Sequence, residues 1–139
     1  MSTVARVVEV LEGAGVSYAV CGAFALAAHG ASRATVDLDL AVAGDAPVDV
    51  VVFGPNGWQR EAIERAMPVR VGVASLRILR AEDLVLFKLY AAGPQDGWDV
   101  QSLLAGHPDE AALVGLVKAA LPGLPPRARR LWARVREGR

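Results

Sequence analysis

A single cysteine, Cys21, stands in the 139-residue chain, so no intramolecular disulfide can form and nothing demands an oxidising compartment. Aromatic side chains are scarce, at 6% against 53% apolar residues overall, so the core has to be aliphatic. Long apolar runs are missing too. The longest, Tyr18–Ala28, has 11 residues and ends at His29, whereas a helix crossing a bilayer needs roughly 20. The N-terminal stretch MSTVARVVEVLEG has no basic segment followed by an apolar one and a cleavage site. Net charge is absent as well: fifteen Lys and Arg balance fifteen Asp and Glu, which excludes a global field for polyanions. Intrinsic disorder is excluded by the high apolar content combined with only 22% charged residues. These absences lead us to expect a cytoplasmic protein with no membrane contact.

The zero net charge hides an asymmetry. Residues 127–139 hold six arginines against Glu137, leaving an acidic body with a basic tail. Along the chain, Val4, Val7, Val8 and Leu11 recur at helical spacing, with Ser2 or Thr3 as N-cap and Gly13 and Gly15 as the stop. Val16–Cys21 reads as a buried strand, broken by Gly22, and Phe24–His29 as a short helix ending at Gly30. Val36–Val42 alternates strictly, with Val36, Leu38, Leu40 and Val42 on one face and Asp37, Asp39 and Ala41 on the other. The turn residues Gly44-Asp45-Ala46-Pro47 then predict a hairpin, with Val48–Phe53 returning antiparallel. A helix over Trp58–Ala66 and short strands at Val69–Val73 and Leu76–Leu79 follow. From Ala81 the reading is helical, at about 81–92, 98–105 and 109–120, with three prolines in Leu121–Pro126 and a basic helix or frayed tail over Arg127–Arg136. The expected fold class is α+β: a small mixed or antiparallel sheet with a helical C-terminal part. We expect one compact domain, with an α/β core over 1–105 and C-terminal helices with the basic tail over 106–139.

The chemistry-bearing feature is Gly22-Ala23, followed after 13 residues by Asp37-Leu38-Asp39 and then by Asp49. Aspartates at i and i+2 of a strand share a face, roughly 7 Å apart. Such a pair is repulsive unless a cation sits between the carboxylates or one of them is protonated. Mg²⁺ suits it, because that ion takes one or two carboxylates plus substrate phosphates. Asp49 on a paired strand would add a third carboxylate, either as a metal ligand or as base toward a hydroxyl. Backbone N–H groups at the Gly22 turn would meet a phosphate. Together these are the equipment of phosphoryl or nucleotidyl transfer.

Gly22-Ala23-Phe24-Ala25, His29-Gly30 and Arg33-Ala34-Thr35-Val36-Asp37-Leu38-Asp39-Leu40 resemble the signature of the minimal nucleotidyltransferases of the polymerase-β superfamily. Within that superfamily the pattern resembles the AbiEii-type proteins of toxin–antitoxin and phage-defence systems. The downstream segments Val48-Asp49-Val50-Val51, Leu76-Arg77-Ile78-Leu79, Glu82-Asp83-Leu84, Lys88-Leu89, Asp96 and Asp99 extend the resemblance over roughly residues 15–105. It implies a nucleotidyltransferase-like topology and transfer of a nucleoside monophosphate from an NTP to a hydroxyl. Asp37, Asp39 and Asp49 would be the catalytic and metal-binding carboxylates for Mg²⁺ or Mn²⁺. Gly22, Ala23, Arg33, Thr35 and Lys88 would contact the nucleotide. The acceptor would be RNA (tRNA included), a partner protein or a small molecule. The chain departs from the pattern at Ala23, where the family has a second Gly or Ser, and in the nine residues between Asp39 and Asp49, a shortened insert.

Plainer readings stand beside each of these. Asp37 and Asp39 fit an amphipathic strand with solvated carboxylates, and Asp49 a solvent-facing hairpin residue. Arg33 fits an ion pair, Lys88 a lysine reaching from an apolar helix to solvent, and His29 and Cys21 packing. Asp96 and Asp99 read as a helix start and an internal ion-pair partner. The tail arginines fit a solvated face or an RNA contact. As a whole, the chain also fits a catalytically inactive binding module, such as a toxin–antitoxin component, or an RNA-binding protein using its tail.

Overall fold

The computed structural model describes residues 3–31, 39–43, 51–53, 57–71 and 74–137. They form an α+β protein with a mixed sheet in the N-terminal part and a helical C-terminal part. The chain divides into two compact units, residues 1–25 with 34–80, and residues 26–33 with 81–139.

The first unit is built on the sheet. Helix α1 (Thr3–Gly13) leads to β1 (Ser17–Cys21), and helix α2 (Gly22–Ala28) starts directly after it. Strands β2 (Asp39–Ala43) and β3 (Val51–Phe53), helix α3 (Trp58–Glu64), and strands β4 (Met67–Val71) and β5 (Ala74–Ile78) complete it. The strand order is β3-β2-β1-β5-β4. β1 is central, antiparallel to β2 from Ser17↔Ala43 to Cys21↔Asp39, and parallel to β5 at Val20↔Ile78. A strand with neighbours on both sides and both faces covered reads as an unbroken apolar run. Accordingly Tyr18, Ala19 and Val20 are buried, with α1 packed on β1 and α3 on β1 and β2. Burial pushes the pKa of the Tyr18 hydroxyl up; the Arg77 backbone opposes this and the Glu12 charge adds to it. Pro68 is tolerated because β4 is an edge strand. The C-terminal carbonyls of α3 and the turn after it are covered by arginines: Arg77 donates to the Ile63 and Glu64 oxygens (3.2 and 2.9 Å), and Arg80 to that of Arg65 (2.8 Å). Cations at this end also oppose the helix dipole.

Two expectations are corrected here. Strands β2 and β3 are not a hairpin; they run parallel, with Ala41↔Val51, Val42↔Val52 and Ala43↔Phe53. Hairpin loops usually have two to five residues, whereas residues 44–50 separate these strands. A connection of that length does not force reversal. Nor is β2 a half-exposed amphipathic strand: Leu40, Ala41 and Val42 are all buried. Its place between β1 and β3, with α3 against it, removes the solvent face that alternation implied. The β4–β5 pairing is antiparallel, Met67↔Ile78 to Val71↔Ala74, across the two-residue connection 72–73.

The second unit is helical. Helix α4 (Ala81–Ala91) buries Ala81, Asp83, Leu84, Val85, Leu86 and Leu89, so apolar contact surrounds much of it. Against it pack α5 (Asp96–Gly106), α6 (Glu110–Ala120) and α7 (Pro126–Glu137). Asp109 caps α6 by accepting from the Ala112 amide at 3.1 Å. Residues 26–31 meet these helices through a backbone approach of Gly30 to Gly106, where an added Cβ on Gly106 would sit 3.1 Å from the Gly30 carbonyl oxygen. The basic end is a docked helix: Ala128, Leu131, Trp132 and Val135 of α7 are buried at i, i+3, i+4 and i+7. Several tail arginines serve that docking. Arg127 donates to the Tyr90 carbonyl at 2.8 Å with its guanidinium 4.6 Å from the Tyr90 ring centre, and Arg129 donates to the Leu124 carbonyl. Arg136 lies 5.7 Å from the Trp132 ring and 3.6 Å from the Glu110 carboxylate. No helix among the described residues is long and apolar enough to cross a membrane.

Candidate functional site

In the first unit, β1 delivers the chain to a left-handed turn. Gly22 has φ +75° and opens α2 directly after Cys21, which pairs with Asp39 across the sheet. That register sets the Asp39 carboxylate against the Gly22 Cα. A Cβ built on Gly22 would run into Asp39 Oδ2 and lie 2.9 Å from the Asp39 Cβ and Cγ. Both halves of the site therefore need glycine at position 22, one for backbone conformation and the other for space. Asp39 itself is exposed, as the first residue of β2. The first amides of a helix have no intrahelical acceptor, so the α2 start presents N–H donors on the turn that Asp39 overlies. A hard, solvent-facing carboxylate beside backbone donors is chemically suited to a divalent cation and a phosphate together.

Gly22 and Asp39, 17 positions apart in sequence, are thus brought together. Ala23 lies in the first turn of α2. Asp37, Asp49, Arg33 and Thr35 lie outside the described residues, as does the three-carboxylate face expected from them. Among the described residues, no group of three or more His, Cys, Asp or Glu side chains is placed to hold a metal ion. Asp39 alone fits part of a Mg²⁺ shell, which substrate phosphates and water ordinarily complete.

Lys88 belongs to the second unit and has a definite environment there. Its Nζ lies 2.9 Å from Asp99 Oδ2 and 3.4 Å from Asp96 Oδ1, and all three side chains are largely buried. Asp96 Oδ2 also accepts from the Gly93 amide at 2.6 Å, tying the α4–α5 link to the start of α5. Asp99 is an internal ion-pair partner and Asp96 opens α5, as their spacing suggested. Lys88 does not simply reach solvent. Its ammonium bridges two carboxylates.

A cleft of about 430 Å³ in this second unit escaped the sequence reading. One wall is a stripe of α5 and its N-cap, formed by Gln95, Trp98, Asp99 and Ser102 at i, i+3, i+4 and i+7. Leu26, Ala31 and Pro94 form the remainder. A signal was present in the sequence: Trp98 interrupts the polar face of a helix, and in the fold it is 74% exposed.

The Gly22 turn yields a stability test. Gly22→Ala is expected to cost about 2 kcal/mol or more, combining left-handed strain of roughly 1–2 kcal/mol with displacement of Asp39. In an Asp39→Ala background the cost should shrink but not vanish, since the clash with Oδ2 and Cγ goes while the Asp39 Cβ contact stays. Urea denaturation of the four proteins in this cycle measures the coupling. Additive effects would show that the two residues do not touch.

Comparison with models of known protein families and with curated proteins gives no match, so the chain's own geometry carries the functional argument.

Proposed function

We propose that the protein is a metal-dependent nucleotidyltransferase, moving a nucleoside monophosphate from an NTP to a hydroxyl group. The observation supporting this reading is the Asp39 carboxylate seated against the left-handed Gly22 turn that opens α2. In this reading the strand, the glycine turn into a helix and the acidic residue on the neighbouring strand supply the phosphate and metal contacts. In this reading Asp37 and Asp39 hold Mg²⁺ or Mn²⁺, and the Gly22 and Ala23 amides face phosphate oxygens. Arg33, Thr35 and Lys88 belong to the same proposal as nucleotide contacts. The ion would supply charge neutralisation at the triphosphate. The acceptor oxygen bonds to the α-phosphorus as the bond to the pyrophosphate oxygen breaks, and Asp49 takes the proton from the acceptor hydroxyl.

A second reading is favoured by one specific residue. Ala23 carries no hydroxyl at a position where the resembling family has Gly or Ser, which suits a module that binds a nucleotide or partner without catalysis. Incubation with each labelled NTP, Mg²⁺ or Mn²⁺, and total RNA or lysate separates the two. Transfer of label to an acceptor with release of pyrophosphate supports the enzyme. Metal-dependent NTP binding without transfer supports the module, and neither result removes both.

A further inference from the structure

We propose that the outer side of α7 is a docking surface for the phosphate backbone of a nucleic acid, bound without regard to base. Arg127, Arg130 and Arg134 are all exposed. They stand at i, i+3 and i+7, in one stripe beside the buried Ala128, Leu131, Trp132 and Val135. At 1.5 Å of rise per residue the stripe spans about 10 Å. Arg127 donates through Nε to the Tyr90 carbonyl, which holds its guanidinium at the head of the stripe. The Arg130 and Arg134 side chains make no ion pair or hydrogen bond among the described residues. Glu137, the one acid of α7, comes only at its end. Like charges at i and i+4 destabilise a helix, and on α3 the same spacing holds opposite charges, Arg60 and Glu64. On α7 the repulsion between Arg130 and Arg134 is left standing, and an anion lying across them relieves it.

The occupant follows from what the stripe has and what it lacks. A guanidinium presents paired donors that match two phosphate oxygens, and a nucleic acid repeats that phosphate along its backbone. A helix that binds a membrane surface inserts its apolar side, whereas the apolar side of α7 is buried within the second unit. A protein partner would need an apolar centre to its interface. The large exposed apolar side chains among the described residues, Val10, Met67, Trp98 and Leu116, all lie off this helix. Nor does α7 offer an exposed ring on which a base could stack, since Trp132 is buried. What remains is ionic contact to phosphates, which carries no sequence information. RNA and DNA strands should therefore bind alike. The inference stands apart from the transferase reading, because it involves neither NTP nor metal.

Fluorescence anisotropy of the full chain with labelled oligouridine and oligothymidine of equal length, without NTP or metal, tests this. Both should bind, with affinities within about threefold of each other, because neither base nor sugar is read. Three phosphate contacts to a single strand give a slope of about −2 for log K against log salt. Arg130→Gln with Arg134→Gln should bring that slope to about −0.7 and weaken binding at low salt roughly tenfold. Arg130→Lys with Arg134→Lys keeps both charges and should retain most of the binding. Arg60→Gln with Arg70→Gln removes the same net charge from the first unit and should change neither quantity. Because the Arg130 and Arg134 side chains are exposed, the α7 variants should melt with the wild type. Failure of both strands to bind at about 10⁻⁴ M protein in low salt would overturn the proposal. So would a slope unchanged by the α7 glutamines, or an equal loss from the glutamines at Arg60 and Arg70. Polyglutamate or phosphatidylserine vesicles competing as well as unlabelled oligonucleotide would also overturn it, since the surface would then select charge alone.

Discussion

Asp39→Asn is expected to lower metal-dependent nucleotidyl transfer by about three orders of magnitude while leaving the melting temperature essentially where it was. A carboxylate that holds a divalent ion against a triphosphate supports several kcal/mol of charge stabilisation. Losing about 4 kcal/mol of it corresponds to roughly three decades in rate. The amide keeps the size and shape of the side chain, so its packing against Gly22 should survive. Asp39 is exposed at the start of β2, and substitutions at such positions commonly change stability by less than about 0.5 kcal/mol. The measurement is initial transfer rate under saturating Mg²⁺ and NTP, with thermal unfolding of both proteins as the control. Wild-type-like turnover in Asp39→Asn would remove Asp39 from the chemistry. A large drop in melting temperature would make it a structural residue of the turn.

Lys88→Met is expected to cost about 3 kcal/mol of stability, through the charge it leaves behind. The Lys88 ammonium lies between Asp96 and Asp99, with side-chain exposures of 15%, 14% and 9%. Methionine fills the same volume in α4 but removes the only cation of the trio. Breaking a buried pair from one side typically costs about 3–5 kcal/mol, because the remaining charge is uncompensated. The partial exposure of this cluster favours the lower end. Adding Asp99→Asn should restore part of the loss, since the amide has no charge to desolvate. Chemical denaturation of wild type, single and double variants measures this, and the deficit should respond weakly to salt because the pair is shielded from solvent. A change below about 0.5 kcal/mol would mark Lys88 as a solvated side chain. Activity lost without stability would assign Lys88 to the nucleotide.

The helices and the central strand were legible because their signals are local. Val8 and Leu11 are buried on α1, and Ala128, Leu131, Trp132 and Val135 on α7, as a 3.6-residue period requires. Gly22 as a break and the prolines Pro122, Pro125 and Pro126 leading into α7 are equally local, each following from backbone geometry. Pairing direction was not legible. Gly44-Asp45-Ala46-Pro47 has turn chemistry, yet β2 and β3 run parallel, because direction depends on where strands end as well as on which residues lie between them. The same holds for β2. Alternation gave the faces but not whether the second face would be covered, which depends on α3 and the flanking strands.

For the candidate site the division is similar. Residue types determined that acidic groups, a glycine break and an isolated lysine in an apolar stretch had to be explained, since each is costly without a partner or a purpose. Tertiary structure decided the partners. The β1–β2 register set Asp39 on Gly22, and the packing of α4 on α5 gave Lys88 to Asp96 and Asp99. Leu26 and Ala31 beside α5 made an exposed tryptophan part of the wall of a cleft. The sequence by itself determined most helices and the aliphatic core, because propensity and periodicity act within a few residues, whereas it left the basic end as a helix or a frayed tail, and packing made it the docked helix α7. Which charge meets which, and which strands run parallel, arose only on packing, because Coulomb attraction and hydrogen bonding depend on distance in space and not along the chain.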